Sequence, residues 1–201
     1  MAVTRQDVRL SEAFRRFDQA NAEDPNTETV DGTEHPKELL YAQRMTATLE
    51  EFTPEASDEV RLAVRCQHIR RWTIPRETYP DGREGYRRWR SDLARFHADT
   101  AASILAEVGY DQESIARVSV LLRKERLKSN PEVQLLEDVA CLVFLGHYLP
   151  AFVEKHESTK VIEVLRKTWP KMSDKGHTAA LRLDWDAKTR PLVEAALSSS
   201  S

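Results

Sequence analysis

Four ionisable residues stand where apolar ones are expected. His68 follows Val60 and Val64 at helical spacing, and His97 falls in a stripe with Leu93, Phe96, Thr100, Ile104 and Val108. Asp138 shares a face with Leu135, Leu142 and Leu145, and Glu137 stands beside it. An unpaired polar group on such a stripe costs about 1–3 kcal/mol, and an isolated charge costs more. Interrupted stripes on three separate helices predict one shared site rather than three unrelated hydrogen bonds. Imidazole titrates near neutrality and also ligates metals, so His68, His97 and Asp138, with Glu137 adjoining, permit a metal site or metal-free acid–base work. Spacing leaves both open.

A second group of residues suits anion recognition. Seven arginines and no lysine lie between Arg70 and Arg90, interleaved with Trp72, Tyr86 and Trp89. A guanidinium offers a planar fork that grips carboxylate or phosphate at two points and stacks on aromatic rings, which an ammonium does not. Arg70, Arg71, Arg76, Arg87 and Arg90 are the candidate clamp, joined by Lys124 and Lys128 from "RKERLK". Trp72, Tyr86 and Trp89 are candidates to stack on a base or to brace the guanidinium groups. The plainer account of the same residues is surface charge paired locally with Glu77, Asp81 and Glu84.

Composition narrows the function classes. The 201 residues carry a formal net charge of −3, which argues against a general nucleic-acid binder, so any anion site is local. Cys66 and Cys141 make no disulfide framework and fit a reducing compartment. The start, "MAVTRQDVRLSEAF", has no apolar signal core, and the longest apolar run, "VACLVFL", falls short of the roughly 20 residues that span a bilayer. A cytoplasmic protein is expected, without a membrane partner, its terminal "SSSS" a frayed tail. There is no His-Glu-x-x-His, paired-cysteine or Gly-x-Ser-x-Gly motif, and six glycines leave no phosphate-cradling loop.

These residues need helices to position them. Apolar periodicity predicts helices from Arg5 to Ala20 (with Val8, Leu10, Phe14 and Phe17 inward), from Pro36 to Phe52 (Leu39, Ala42, Met45, Leu49 and Phe52), and from Asp58 to near Pro75. Further helices are expected from Glu84 to a cap at Gly109, from Gln112 to Lys124, from Pro131 through "PEVQLLEDVACLVFLGHYL", from Thr159 to Trp169, and after Thr178. "NAEDPNTETVDGTEHP" reads as a polar loop. The expectation is an all-α, single-domain helical bundle over residues 1–200, with C-terminal helices at 159–197.

The order "LAVRCQHIRRWTIPR … FHADTAASILAEVGYDQESIARVSVLL … EVQLLEDVACL" resembles the HD-domain superfamily of metal-dependent phosphohydrolases over about Pro36 to Leu149. That resemblance implies an HD-like core at 36–149, a divalent metal held by His68, His97 and Asp138, and hydrolase activity. Gln67-His68 stands where the superfamily has His-Asp, and Tyr41 where it has its first metal histidine. Across about residues 36 to 181, "ELLYAQRM", "QHIRRWTIPR", "YRRWR", "FHA", "QLLEDVACLVFL" and "RKTWPKMS" resemble an uncharacterised family, the domain of unknown function DUF4202. Together the residues predict an enzyme acting on a small phosphorylated metabolite or nucleotide. In this reading His68, His97, Glu137 and Asp138 are the catalytic group. The alternatives are a non-catalytic anion- or nucleotide-binding module and a protein that contacts RNA or tRNA through the Arg/Trp segment.

Overall fold

The computed structural model describes residues 5–198 apart from 126 and 128, so Lys128 and the last three serines of the tail lie outside the described residues. The chain is mostly helical and divides into two compact units between Val133 and Gln134.

The first unit opens with α1 (Arg5–Asn21), a hairpin of β1 (Thr27–Val30) and β2 (Thr33–Pro36), and α2 (Lys37–Phe52). The hairpin corrects the expected loop. Its signal is the dipeptide Asp31-Gly32, whose φ values of 50° and 77° suit a tight turn between right-twisted strands, flanked by β-favouring Thr and Val. Asp24 then anchors the entry to α2, its carboxylate accepting from the backbone N–H of Asn26 and of Glu38. The buried stripe of α2 is Glu38, Ala42, Met45 and Leu49, so a carboxylate rather than Leu39 heads it. On α1, Ala13 and Phe17 are fully buried while Val8 faces solvent, which moves the expected apolar side by part of a turn.

Helix α3 (Asp58–Cys66) starts at Ser57, whose hydroxyl accepts from Val60 N–H, and buries Val60, Leu62, Ala63, Val64 and Cys66. It packs against α1, α2 and α5, while Arg61 and Arg65 hold the remaining side, Arg65 paired with Asp18. It stops at Cys66, well short of Pro75. Arg70 takes a left-handed conformation (φ 51°), held where its N–H donates to the buried Asn21 side chain, and two short 3₁₀ turns follow, Arg71–Thr73 and Arg76–Thr78. Helix α4 (Gly82–Val108) ends at Gly109, as its sequence predicts, and packs on α1 and on α5 (Gln112–Leu122). A left-handed Lys124 (φ 53°) follows α5.

Helix α6 (Pro131–Val143) begins at the end of the first unit and runs into the second. It widens into a π-helical turn over Phe144–Tyr148 and continues as α7 (Leu149–Lys155). Pro150 accounts for this: it lacks the N–H that would bond Gly146, and its ring crowds that carbonyl, so the ladder loosens just before it. The run Pro131–Lys155 is long and apolar enough to cross a membrane, with a mean hydropathy of 1.4 over its most apolar stretch, but half of that stretch is buried inside the fold, as in a core helix. The second unit adds α8 (Ser158–Thr168), α9 (Asp174–Ala180) and α10 (Thr189–Leu197). Helix α9 begins before the predicted Thr178 because Ser173 caps it, and Asp186 anchors the start of α10 by accepting from Lys188 and Thr189 N–H, with Pro191 tolerated in its first turn.

Candidate functional site

The site is built at the end of α3. Once α3 stops at Cys66, the left-handed Arg70 turns the chain back, and Arg71 N–H donates to the His68 carbonyl. This brings the side chains of His68 and Arg71 together, with Arg71 Nη1 3.2 Å from His68 Nε2. A guanidinium only donates, so His68 Nε2 is the acceptor and the ring carries its proton on Nδ1. That edge faces Glu38, with Oε2 3.3 Å away. Helix α2 supplies both Glu38 and, one turn on, Tyr41, whose ring stacks on His68 at 4.2 Å and 11°.

Arg71 is clasped from three sides. Its Nε is 3.9 Å from Glu38 Oε1, its Nη1 touches His68, and its guanidinium carbon stands 4.9 Å over the Trp89 ring. Trp89 is itself fastened by an indole N–H donated to the Ile74 carbonyl at 2.9 Å, which ties the 3₁₀ segment to α4. Two turns further along α4, His97 is buried, and its Nδ1 donates to the Ile69 carbonyl at 2.8 Å. The rings of His68 and His97 are 6.0 Å apart. His97 Nε2 is left as a buried acceptor without a partner, and so is Gln67 Oε1.

Charge at this point is set by burial. Burial, helped by Arg71 and Arg90, holds His68 well below its ordinary value, and burial with the adjacent His68 lowers His97 to about 3. Both imidazoles are therefore neutral near pH 7. Burial pushes the Glu38 carboxyl up to about 7 although Arg71 pulls the other way. The acid–base group poised near neutrality is thus Glu38, a residue that sequence reasoning missed. Its signal was there: Glu38 continues the spacing of Ala42, Met45 and Leu49, and it reads instead as an ordinary acid in the first turn of a helix.

His68, Arg71 and His97 border a cavity of about 640 Å³ in the first unit, lined also by Gln67, Arg90 and Lys124, while Glu38 stands behind His68 and Arg71 and does not line it. Arg95 and Arg123 also reach it, already paired with Asp92 and Asp99. Arg90 has no ion-pair partner among the described residues. The cavity is therefore cationic at its edge and neutral at its imidazoles.

The family model for the domain of unknown function DUF4202 matches residues 11–193. The chain belongs to this family. No curated protein and no solved structure matches it.

Of the candidates in this DUF4202 chain, the structure gathers His68, His97, Arg71, Arg90 and Lys124 around one cavity. Arg70 turns elsewhere, to Glu23 at 2.9 Å, and Arg76 donates to the carbonyls of Tyr79 and Pro80. Arg87 is exposed and Trp72 half-buried, and neither lines the cavity. Trp89 braces Arg71, while Tyr86 is 49% exposed with its ring 5.7 Å from that of Trp89. Glu137 and Asp138 are buried in the second unit. There Asp138 accepts from Ser173 N–H at 2.7 Å, the Ser173 hydroxyl at 2.5 Å and Gln134 Nε2 at 3.1 Å, which anchors the start of α9.

The donor set around the cavity does not fit a divalent metal. Among the described residues no group of three or more His, Cys, Asp or Glu side chains is placed to hold one. A cation on His68 Nε2 would also meet the Arg71 guanidinium 3.2 Å away.

Proposed function

We propose that the cavity of the first unit binds the phosphate of a small phosphorylated metabolite or nucleotide and acts on it by acid–base chemistry. The observation that carries this reading is the set Arg71, Arg90 and Lys124 bordering one cavity with two neutral histidines. Fixed positive charge at a part-desolvated site favours a dianion, and a guanidinium fork matches phosphate geometry. Arg71 Nη2 has no partner among the described residues and is the donor offered first.

Binding and proton transfer are coupled through Arg71 in this proposal. A phosphate that draws the guanidinium onto itself releases His68 Nε2, which then takes a proton from the reacting group. His68 passes its Nδ1 proton to Glu38, so the ring stays neutral while the carboxyl, poised near 7, changes charge.

The test is thermal unfolding with inorganic phosphate, followed by turnover of a panel of phosphorylated metabolites. Phosphate at about 100 times its Kd stabilises by about 2.7 kcal/mol, and Arg71→Lys weakens that gain although charge is kept. Turnover lost in both His68→Ala and Glu38→Gln supports the enzyme. Phosphate binding without turnover of any substrate leaves the anion-binding module in its place, and no thermal shift with phosphate overturns the reading.

A further inference from the structure

We infer that the ligand of this cavity, on the reading just proposed, is an organic phosphate whose non-phosphate part donates hydrogen bonds to Gln67 Oε1 and His97 Nε2, as a phosphorylated sugar or a nucleotide does. Gln67 is 8% exposed and His97 4%, both line the cavity, and each keeps one acceptor closed to solvent and without a partner, which a ligand meets as these side chains turn toward the cavity. In His97 the acceptor is forced. The Ile69 carbonyl can only accept, so the ring proton is on Nδ1 and Nε2 presents a lone pair. Burial also keeps Nε2 from taking a proton from solvent near neutral pH.

The dianion of a phosphate ester brings acceptors alone and pairs with neither of these two atoms. Hydroxyl or N–H groups on the remainder of the ligand satisfy both. The size agrees, since about 640 Å³ leaves room well beyond one phosphate group. The arginines and Lys124 then recognise the charged end, and Gln67 and His97 read the neutral end. A buried acceptor left unpaired is costly, so such a site rejects an analogue that lacks the donor.

Calorimetry on the intact protein, with ethyl phosphate, ribose 5-phosphate and adenosine monophosphate as probes, tests this. Ethyl phosphate carries the charge without hydroxyl groups. The hydroxyl-bearing phosphates are expected to bind about tenfold tighter or better. Gln67→Leu should shrink that margin several-fold while ethyl phosphate binds as before. Gln67→Glu, which keeps the shape and the acceptor, should weaken all three probes by charge repulsion and preserve the margin. A nucleotide preference lost in Tyr86→Ala selects the nucleotide, with its base on the exposed Tyr86 ring, and equal affinities select the sugar phosphate. If the wild type binds ethyl phosphate as tightly as ribose 5-phosphate, trapped water already satisfies the two acceptors and the inference fails, while the phosphate site stands. If no probe binds, the site reading falls and this inference falls with it.

Discussion

Glu38 and His97 show how burial sets charge one residue at a time, and with opposite signs. The Glu38 carboxyl rises from 4.5 to about 7 on folding, so the folded state holds its proton more tightly than the unfolded state between those values. Stability from Glu38 is therefore fully present below 4.5 and is lost as pH rises to 7, by roughly 3 kcal/mol. His97 falls from 6.5 to about 3, so its contribution is present above 6.5 and is lost as pH falls. The two slopes oppose each other where they overlap, and the wild-type profile is flattened there. Glu38→Gln, a neutral isostere, removes one of them. Its stability should match the wild type near pH 4.5 and exceed it increasingly up to pH 7, as followed by urea denaturation at each pH. Parallel profiles for the two proteins would show that Glu38 keeps an ordinary acidity.

At the scale of elements, the start of α4 places Tyr86, Trp89 and Arg90, and a single glycine lets it approach the preceding loop. A Cβ on Gly85 would stand 1.9 Å from the Pro80 carbonyl oxygen, a backbone atom that Arg76 also holds by a hydrogen bond. Neither side can yield without moving the loop or the first turn of α4. Gly85→Ala is therefore expected to cost about 3 kcal/mol and to weaken phosphate binding, because Arg90 and Trp89 move with that turn. Gly32→Ala is the comparison: its φ of 77° makes it strained, but open space surrounds it, so a loss of about 1 kcal/mol is expected with binding intact. Equal midpoints in urea for the two variants would contradict the close approach. The element boundaries follow the same local physics. Gly109 and Ser57 mark helix ends visibly, whereas the end of α3 at Cys66 has no such marker and depends on the turn held by Asn21 and Arg70.

Across the whole molecule, a net charge of −3 coexists with a local cationic cavity, and on the proposed function that balance favours a small anion over a long polyanion. Binding of an unstructured RNA is expected to be weak at physiological salt, and a fluorescence titration giving tight binding with a steep salt slope would favour the RNA-contacting alternative instead. The sequence alone determined the helical class, most helix positions, the inward setting of His97 and Asp138, and the arginine-rich segment, because periodicity and residue chemistry are local properties. His68, His97 and the arginines were legible as candidates for the same reason, but in wider sets that also held Glu137, Asp138, Arg70, Arg76 and Arg87, which the cavity does not gather. Only the tertiary structure decided which of the arginines share a cavity, since Arg70 and Arg71 are neighbours in the chain yet turn to Glu23 and to Glu38. It alone decided that Glu38 is buried, because a carboxylate in a first helical turn looks solvated until another element covers it. It likewise gave Asp138 its partners at Ser173, far along the chain. The physical reason is common to all three: charge state and function at a buried polar group are fixed by what packs against it, and packing partners distant in sequence leave no periodicity to read.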